Sequence, residues 1–203
     1  MQSAAAPMTD GRLRVVVVED DEATRLALTQ ALEEKFGHQV VGQAATGPQM
    51  VEVVEKTLPD VVIFDIHLPG LDGLTALKQI NEKQPVAAVA ITADRDQELV
   101  RRALDEHVLA YLVKPIEAHQ LGPALLIAWN QFEELRELSA ENASLRQTLQ
   151  NRKIIERAKG VLMKRHRWSE AEAFRRLQKG AMNRRTSMIQ LAQAVLNGIE
   201  VEL

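Results

Sequence analysis

The chain has 203 residues, of which 46% are apolar but only 3% aromatic, so we expect an aliphatic core in one large or two small domains. The net charge is only −3, and the absence of cysteine excludes disulfides, thiol catalysis and cysteine-based zinc sites. No apolar run approaches the roughly 20 residues of a membrane span. Without a signal-peptide core, the sequence predicts a cytoplasmic protein, with residues 1–11 as a disordered leader.

The first 115 residues alternate short apolar runs with amphipathic segments. Five runs are typical of strands: Leu13–Val18, Gln39–Ala44, Val61–Phe64, Val86–Ile91 and Leu109–Val113. Four segments between them predict helices: Ala23–Phe36, Pro48–Leu58, Leu74–Lys83 and Gln97–Glu106. Continuous apolar runs indicate strands that are buried on both faces of a parallel sheet. We therefore predict an α/β fold with a doubly wound, five-stranded parallel sheet.

Acidic side chains follow two of these strands. Glu19, Asp20 and Asp21 come directly after the first strand, and Asp65 ends the third. If the two strands are neighbours, their carboxylates converge at one edge of the sheet, where such folds bind ligands. Converging anions repel one another, and a hard divalent cation such as Mg²⁺ would neutralise them.

A hydroxyl and an ammonium group are predicted at the same edge. Thr92 ends the fourth strand, and Lys114 follows the fifth. With a metal ion, this set suits phosphoryl transfer to Asp65, which would attack in line as the nucleophile. Lys114 would then pair with the phosphate, and Thr92 would donate a hydrogen bond to it. A nucleotide donor is not expected, because the chain has no Gly-x-x-x-x-Gly-Lys loop.

These residues lie in four stretches: Val-Val-Val-Val-Glu19-Asp20-Asp21, Asp65-Ile-His-Leu-Pro69-Gly-Leu-Asp-Gly73, Ile-Thr92-Ala and Tyr111-Leu-Val-Lys114-Pro115. Together they resemble the receiver domain of bacterial response regulators, over residues 12–125. The resemblance implies a flavodoxin-like fold and a sensor histidine kinase as the phosphoryl donor.

The resemblance also implies a role for each matching residue. Asp65 becomes the phosphoacceptor and one of the Mg²⁺ ligands, and Asp20 becomes a direct ligand of the same ion. Glu19 binds the ion through water, and the backbone carbonyl of His67 completes the protein ligands. His67 and Asp94 flank the pocket and are expected to tune dephosphorylation.

Lys114 becomes the phosphate partner, with a cis peptide bond to Pro115. Thr92 and Tyr111 become a switch pair, in which the hydroxyl moves toward the phosphate and the ring follows inward. Apart from transfer of the phosphoryl group to the protein's own aspartate and its later hydrolysis, no enzymatic activity is expected.

One long helix is predicted from Ile116 to about Arg167. A heptad repeat within it has these a and d positions: Ala128, Leu135, Asn142 and Leu149 at a, and Gln131, Leu138 and Leu145 at d. The repeat predicts a coiled-coil linker at residues 126–150 that joins a homodimer when the protein is active, with the polar Asn142 favouring one register. The alternative is a lone amphipathic helix that packs on its own domain.

The C-terminal part of the chain differs from the rest in charge. Residues 1–150 contain 13 basic and 23 acidic side chains, a net −10, whereas residues 151–203 contain 12 and 5, a net +7. This asymmetry predicts an acidic module joined to a basic module that meets a polyanion. A solvated basic surface is the alternative.

A helix predicted from Ser169 to about Asn183 has an apolar face and a cationic face. The cationic face and the residues after it are Arg175, Arg176, Lys179, Asn183, Arg184 and Arg185. Such a face suits phosphate contacts, and asparagine and arginine can also read base edges. In the preceding segment, Lys159 flanks the apolar stripe and Gly160 lies on the outer side. Trp168 stacks on a base or fills the core at a helix end.

Three stretches carry a second resemblance: Ile155-Glu-Arg-Ala158-Lys159-Gly160-Val-Leu-Met163, Ser169-Glu-Ala-Glu-Ala173-Phe174-Arg-Arg-Leu177 and Ala181-Met182-Asn183. They are similar to the ANTAR domain of transcription antitermination regulators, over about residues 142–203. The resemblance implies three helices that bind RNA stem-loops in nascent transcripts and favour an antiterminator, so that RNA polymerase reads through. The candidate RNA contacts are Lys159, Gly160, Arg176, Lys179, Asn183 and Arg185, in an RNA-binding domain placed at residues 151–203.

Two other outputs remain open, namely a DNA-binding domain and a domain that only dimerises. A helix-turn-helix would need an exposed recognition helix near the end. The last helix, predicted from Thr186 or Ser187 to Leu196, is apolar along most of its length. A domain that only dimerises leaves the basic charge unexplained.

Overall fold

The computed structural model describes residues 11–93 and 97–199, so most of the predicted leader and Asp94 lie outside the described residues. Contacts divide the chain into two compact units, residues 1–136 and 137–203, which we call unit 1 and unit 2. No helix within the described ranges is long and apolar enough to cross a bilayer.

Unit 1 contains a five-stranded parallel sheet with the strand order β2-β1-β3-β4-β5. The strands are β1 (Arg14–Val18), β2 (Gln39–Ala44), β3 (Val61–Asp65), β4 (Ala87–Thr92) and β5 (Ala110–Val113). This confirms the predicted fold. Because β1 pairs with β3, the carboxyl ends of these two strands are adjacent.

Four helices connect the strands: α1 (Glu22–Gln30), α2 (Gly47–Thr57), α3 (Gly73–Lys83) and α4 (Gln97–Asp105). The sequence predicts that the first helix continues to Phe36, but the chain instead forms a π-helical turn at Ala31–Lys35. This wider turn keeps Leu32 fully buried. A period of 3.6 residues gives no signal for it, because π-turns close over a different interval.

Each face of the sheet has its own aliphatic cluster. Val16 and Val18 belong to one cluster, whereas Val15 and Val17 belong to the other, as expected from the alternation of side chains along a strand. Burial on both faces fixes β1, β3 and β4 up to their last residues. The polar groups that follow these residues are therefore held at a defined edge.

Helix α5 (Ala118–His166) corresponds to the predicted long helix. Its first part packs on the core of unit 1 through Leu121, Leu125, Ala128 and Trp129. The heptad prediction is therefore wrong for Ala128, since this side chain is fully buried and cannot meet a second helix. All residues in the segment 134–150 are exposed.

Unit 2 consists of the last part of α5 together with α6 (Glu170–Asn183) and α7 (Met188–Leu196). Their shared core is Ala158, Leu162, Ala173, Leu177, Ala181, Leu191, Ala192 and Val195. The side chain of Ser169 caps α6, and Ser187 caps α7 in a capping box with Gln190. Both helices begin and end where the sequence predicts.

Candidate acidic pocket and cationic helix

Two carboxylates and an ammonium group meet at the carboxyl edge of the sheet. Asp65 ends β3 and Glu19 follows β1, and both are buried, with 5% and 0% of their surface exposed. Lys114 follows β5, and its Nζ donates hydrogen bonds to Asp65 Oδ2 at 2.5 Å and Glu19 Oε1 at 2.8 Å. The structure thus brings together three of the residues that the sequence selects.

Backbone hydrogen bonds position the groups in the acidic pocket. The Lys114–Pro115 peptide bond is cis, as predicted, and the Lys114 N–H donates to the carbonyl of Thr92 at 2.8 Å. In the loop after β3, the His67 N–H donates to Asp65 Oδ1 at 2.9 Å. The carboxylate of Asp65 is therefore held from two sides, by an ammonium group and by a backbone amide.

Arg25 also contributes to the pocket, although sequence reasoning did not select it. Its Nη1 donates to the backbone carbonyl of Glu19 at 2.7 Å, and so ties α1 to the loop after β1. The available signal was a cation one and a half turns after an acidic triplet. That spacing becomes informative only when the helix is known to turn back over the strand end.

Burial determines the electrostatics of the pocket. It raises the pKa of Glu19, and the hydrogen bond from Lys114 offsets this rise only in part. Burial alone would lower the pKa of Lys114, but hydrogen bonds to Asp65 and Glu19 outweigh it and raise that pKa. One ammonium group cannot neutralise two carboxylates, so the pocket favours a further cation.

The carboxylates of the pocket fit a divalent cation. One oxygen atom from each of Glu19, Asp20 and Asp65 lies within 4.8 Å of the others. Asp20 is exposed, so the cluster is open to solvent on one side. Glu19 Oε2 is 2.8 Å from Lys114 Nζ but accepts no hydrogen bond with acceptable geometry from any described group. Hard oxygen ligands with room for water and phosphate suit Mg²⁺.

The predicted switch residues lie on neighbouring strands. Thr92 ends β4 and is fully buried, whereas Tyr111 of β5 is half-buried and packs against one of the two aliphatic clusters. In the strand register, Tyr111 is opposite Ala90, two residues before Thr92. Both residues are thus near the pocket edge.

Helix α6 carries the cationic face in unit 2. The predicted set is exposed throughout: Arg175, Arg176, Lys179, Asn183, Arg184 and Arg185. Glu172 accepts a hydrogen bond from Arg176 at 2.9 Å, which lowers the pKa of Glu172. The sequence has no acidic residue between positions 173 and 199, so most of this positive charge is not neutralised locally. The face therefore suits a polyanion.

Lys159, which the sequence predicts as an RNA contact at the flank of the apolar stripe in α5, is buried. It is only 5% exposed, and its Nζ lies 2.8 Å from both Glu156 Oε1 and Glu170 Oε1. Hydrogen bonds to Glu156 and Glu170 raise the pKa of Lys159. The ammonium group also lies 5.9 Å from the centroid of the Phe174 ring. Lys159 therefore joins α5 to the first turn of α6, which positions the cationic face.

Two other residues singled out in unit 2 have different surroundings. A Cβ atom at Gly160 would meet nothing within 4 Å, so no described part of the chain makes the close approach that a mid-helix glycine suggests. Trp168 is half-buried and packs against the unit 2 core. It thus has a helix-end core role.

Among the described residues, nothing covers a row of leucines in the middle of α5. The exposed fractions are 49% for Leu135, 51% for Leu138, 57% for Leu145 and 60% for Leu149. We call these four residues the leucine stripe. Their heptad spacing is the pattern from which the sequence predicts a second helix.

Comparisons with known proteins agree with this division of the chain. The family model for the response regulator receiver domain matches residues 15–125, and the model for the ANTAR domain matches residues 143–196. The chain is also 40% identical over 183 residues to the transcriptional regulatory protein PdtaR of Mycobacterium tuberculosis. That alignment covers 90% of this chain and 89% of PdtaR. The similarity to PdtaR therefore extends over both units.

Two solved structures resemble part of the chain. The response regulator domain of Thermotoga maritima CheB has a TM-score of 0.53 and 30% identity, and the match covers 59% of this chain and 95% of that chain. A chain of the CheX–CheY–BeF3–Mg²⁺ complex from Borrelia burgdorferi has a TM-score of 0.53 and 27% identity. This second match covers 56% of the present chain and 86% of the other.

Proposed function

The chain belongs to the response regulators, with a receiver domain followed by an ANTAR domain, and from this we propose that phosphorylation of Asp65 controls RNA binding by unit 2. The bound RNA would be a stem-loop in a nascent transcript. Binding would favour the antiterminator form, so that RNA polymerase continues. The proposal rests on the presence of two features in one chain. Unit 1 has the Asp65–Lys114–Glu19 pocket, and unit 2 has an exposed helix whose positive charge is largely unneutralised.

The chemistry at Asp65 is proposed as follows. An oxygen of Asp65 attacks the phosphorus of a phosphohistidine on the sensor kinase; the P–O bond forms as the P–N bond breaks, and the histidine nitrogen later takes up a proton. Bound Mg²⁺ would neutralise charge on the phosphoryl oxygens. Glu19, Asp20 and the backbone carbonyl of His67 would hold the ion. Lys114, already in contact with Asp65, would pair with the new phosphate.

The kinase requires a docking surface beside the pocket. A groove of about 750 Å³ opens next to Lys114, between α1 and the start of α5. Its lining is mixed, with Ala27, Ala31, Pro115 and Ile116 beside Thr24 and Lys35. We propose that the helix that presents the phosphohistidine lies here, because an in-line attack by Asp65 needs the donor at this edge of the sheet.

The signal is proposed to pass from the pocket to α5. Phosphate at Asp65 would attract the hydroxyl of Thr92, and Tyr111 would move into the space that this creates. The leucine stripe of α5 would then pair with a second copy of the chain, and Asn142 would favour one register of that pair. A dimer presents two cationic faces, which strengthens binding when one RNA offers two loops at a suitable distance.

The rival output is duplex DNA binding. A recognition helix must expose the face that enters the groove, whereas α7 buries Leu191, Ala192 and Val195 in the unit 2 core. The exposed charge lies on α6 instead. RNA loops, in which unpaired bases and phosphates are both accessible, suit this surface better than duplex DNA.

A titration separates these functions. Labelled hairpin RNA and duplex DNA are each titrated with the full chain, before and after treatment with acetyl phosphate and Mg²⁺, at several salt concentrations. We expect hairpin RNA to bind more tightly than DNA, and phosphorylation to strengthen RNA binding by about 5- to 150-fold. A preference for duplex DNA, or the absence of binding to either, would overturn the proposal.

Sedimentation at micromolar concentration tests the dimerisation step separately. The unphosphorylated chain is expected to be largely monomeric, and the phosphorylated chain to shift toward the dimer. If the unphosphorylated chain is already fully dimeric, dimerisation is not the switch, even when RNA affinity still responds to phosphate.

A further inference from the structure

Two aromatic rings stack on each other at the turn between α5 and α6. The ring centroids of His166 and Trp168 are 4.2 Å apart, with an interplanar angle of 16°. The guanidinium carbon of Arg176 lies 5.2 Å from the centroid of the indole ring. Three flat groups are thus arranged beside the cationic face, and we call His166, Trp168 and Arg176 the aromatic platform.

Two members of the platform are held in place by unit 2 itself. Trp168 packs against the unit 2 core, and Arg176 Nε donates to Glu172 Oε1 at 2.9 Å. Arg167, between the two rings, has a φ of 56°, in the left-handed region that is uncommon for non-glycine residues. Because the platform is ordered before any ligand arrives, a ligand that stacks on it loses little affinity to the ordering of side chains.

A core role explains Trp168 but not His166. His166 is the last residue of α5 and is exposed, so it closes no cavity. Within the described part of the chain, no ring other than that of Trp168 stacks on it. A flat, exposed ring that rests on an anchored indole can accept another flat group.

The charge around His166 indicates what that group is. Lys164, Arg165, Arg167 and Arg175 are exposed close to the platform in sequence. These cations suit a flat group attached to phosphates, whereas an apolar peptide would gain nothing from them. A nucleotide has both properties, because its flat base is attached to phosphate. Stacking on aromatic rings is a common way to bind unpaired bases.

We propose that His166 is the open end of a platform that receives one unpaired base of an RNA loop, while the neighbouring cations contact the flanking phosphates. This inference rests on the proposed RNA-binding function and names the part of the RNA that is recognised. Bases within a stem are already stacked on their neighbours, so the platform selects loops over duplexes. Every base has a π-face, so the selection depends on accessibility more than on sequence.

The two tryptophans of the chain make the proposal measurable. Trp129 belongs to the core of unit 1. Because the chain has two tryptophans, the full-length Trp129→Phe variant retains Trp168 as its only one. The first probe is an RNA hairpin with a loop of mixed sequence. The second has the same stem and number of phosphates, but every loop nucleotide is abasic. After phosphorylation of the protein, the first probe is expected to change Trp168 emission, because a base on His166 alters the ring that stacks on the indole. The second probe is expected to leave the emission unchanged.

Substitutions at His166 test the stack directly. His166→Ala is expected to weaken binding of the first hairpin by about 5- to 150-fold, the effect of one base–aromatic stack. It should leave affinity for the abasic hairpin and the salt slope unchanged, because no phosphate contact is lost. His166→Phe keeps a ring and should restore most of the affinity. His119→Ala, at a histidine whose side chain is 74% exposed near the start of α5, is the matched control.

The outcomes separate the platform from the wider function. Suppose that the first hairpin binds tightly, that its binding does not change Trp168 emission, and that His166→Ala does not weaken it. The platform is then wrong, but the proposed RNA binding stands. If neither RNA hairpin binds, both proposals fall. Equal effects on Trp168 emission from a fully paired duplex would overturn the selection of unpaired bases by the platform.

Discussion

The acidic pocket of unit 1 and the cationic face of unit 2 both concentrate charge, but the charges are held differently. In the pocket, Asp65 and Glu19 are buried and share one ammonium group, within 2.5 and 2.8 Å of Lys114. On the face, Lys179 and its neighbours are exposed. Buried charges depend on one geometry, whereas exposed charges are screened by water and salt. Single substitutions should therefore have large effects in the pocket and small, cumulative effects on the face.

The largest expected effect is the loss of phosphorylation in Asp65→Asn. The amide lacks the nucleophilic oxygen anion, and Asp65 is the carboxylate that accepts hydrogen bonds from both Lys114 and the His67 N–H. The measurement is intact mass after incubation with acetyl phosphate and Mg²⁺. Asp72→Asn, outside the pocket, should still take up one phosphoryl group. A full adduct on Asp65→Asn would show that the pocket does not depend on this single residue.

The next effect is on stability, in Lys114→Met. Removal of the ammonium group leaves two carboxylates together, and should lower the free energy of unfolding by about 2 kcal/mol in buffer with a chelator. This loss is below the roughly 3–5 kcal/mol of a fully buried pair, because 24% of the Lys114 side chain is exposed. Added Mg²⁺ should recover part of the loss, since a cation then neutralises the carboxylates.

Urea unfolding with and without Mg²⁺ measures this effect. Lys78→Met is the control, because its ion pair with Glu106 spans 3.7 Å and the Lys78 side chain is 58% exposed. Exposed ion pairs contribute about 0–1 kcal/mol to the free energy of unfolding. Because Lys78 lies outside the acidic pocket, Mg²⁺ should not change the effect of Lys78→Met. If Lys114→Met and Lys78→Met lose the same free energy of unfolding, the ion pairs of the pocket contribute no more than an exposed ion pair does.

The N-cap residues of α3 and α6 are expected to stabilise the two units with different dependences on pH. Burial would raise the pKa of Asp72, the N-cap of α3, but hydrogen bonds from Thr75 and the ion pair with Arg102 outweigh burial and lower that pKa below 3.8. Ser169, the N-cap of α6, does not titrate. Substitution of either residue by alanine should cost about 1 kcal/mol at neutral pH.

The two caps should differ when the pH falls. Because the folded-state pKa of Asp72 is the lower one, its stabilisation is complete above its unfolded pKa and disappears as the pH passes down through the folded value. Asp72→Ala and the wild type should therefore converge in acid, whereas the deficit of Ser169→Ala should stay constant. Urea unfolding over a series of pH values measures both. A constant deficit for Asp72→Ala would contradict the assigned pKa shift.

The smallest effect is expected on the cationic face. Lys179→Ala removes one exposed cation in the middle of α6, and should reduce the salt slope of RNA binding by about 0.7 if it contacts a single-stranded phosphate. Gln178→Ala, at the exposed neighbouring position, is the matched control. Circular dichroism should be unchanged for both. An unaltered slope would remove Lys179 from the contact surface.

The same contrast explains which features the sequence could predict. Asp65 ends a strand, and Glu19 and Lys114 each follow one directly. A parallel sheet brings strand ends together, so all three residues could be placed from the sequence alone. Arg25 could not, because its long side chain reaches back to a backbone carbonyl, and a sequence pattern does not specify such a contact. Strand ends are set by local apolar runs, whereas such contacts depend on how a helix lies over the sheet.

The burial of Lys159 and of Ala128 could not be predicted for a related reason. Helical projection places Lys159 at the flank of a stripe, but its burial depends on Glu170 at the start of another helix. A heptad can include Ala128, but the core of unit 1 already covers it. A projection assigns a side chain to a face, and only the packing of other elements decides what that face meets.

The exposed segment of α5 at residues 134–150 makes the behaviour of the protein depend on its concentration. A helical segment of this length that packs against nothing has marginal stability in water. If the leucine stripe pairs with a second copy, helix formation and association become one equilibrium, and stability depends on concentration. Dilution would then melt this segment, as far-ultraviolet circular dichroism could follow. The cell's expression level would set the threshold at which a given degree of phosphorylation takes effect.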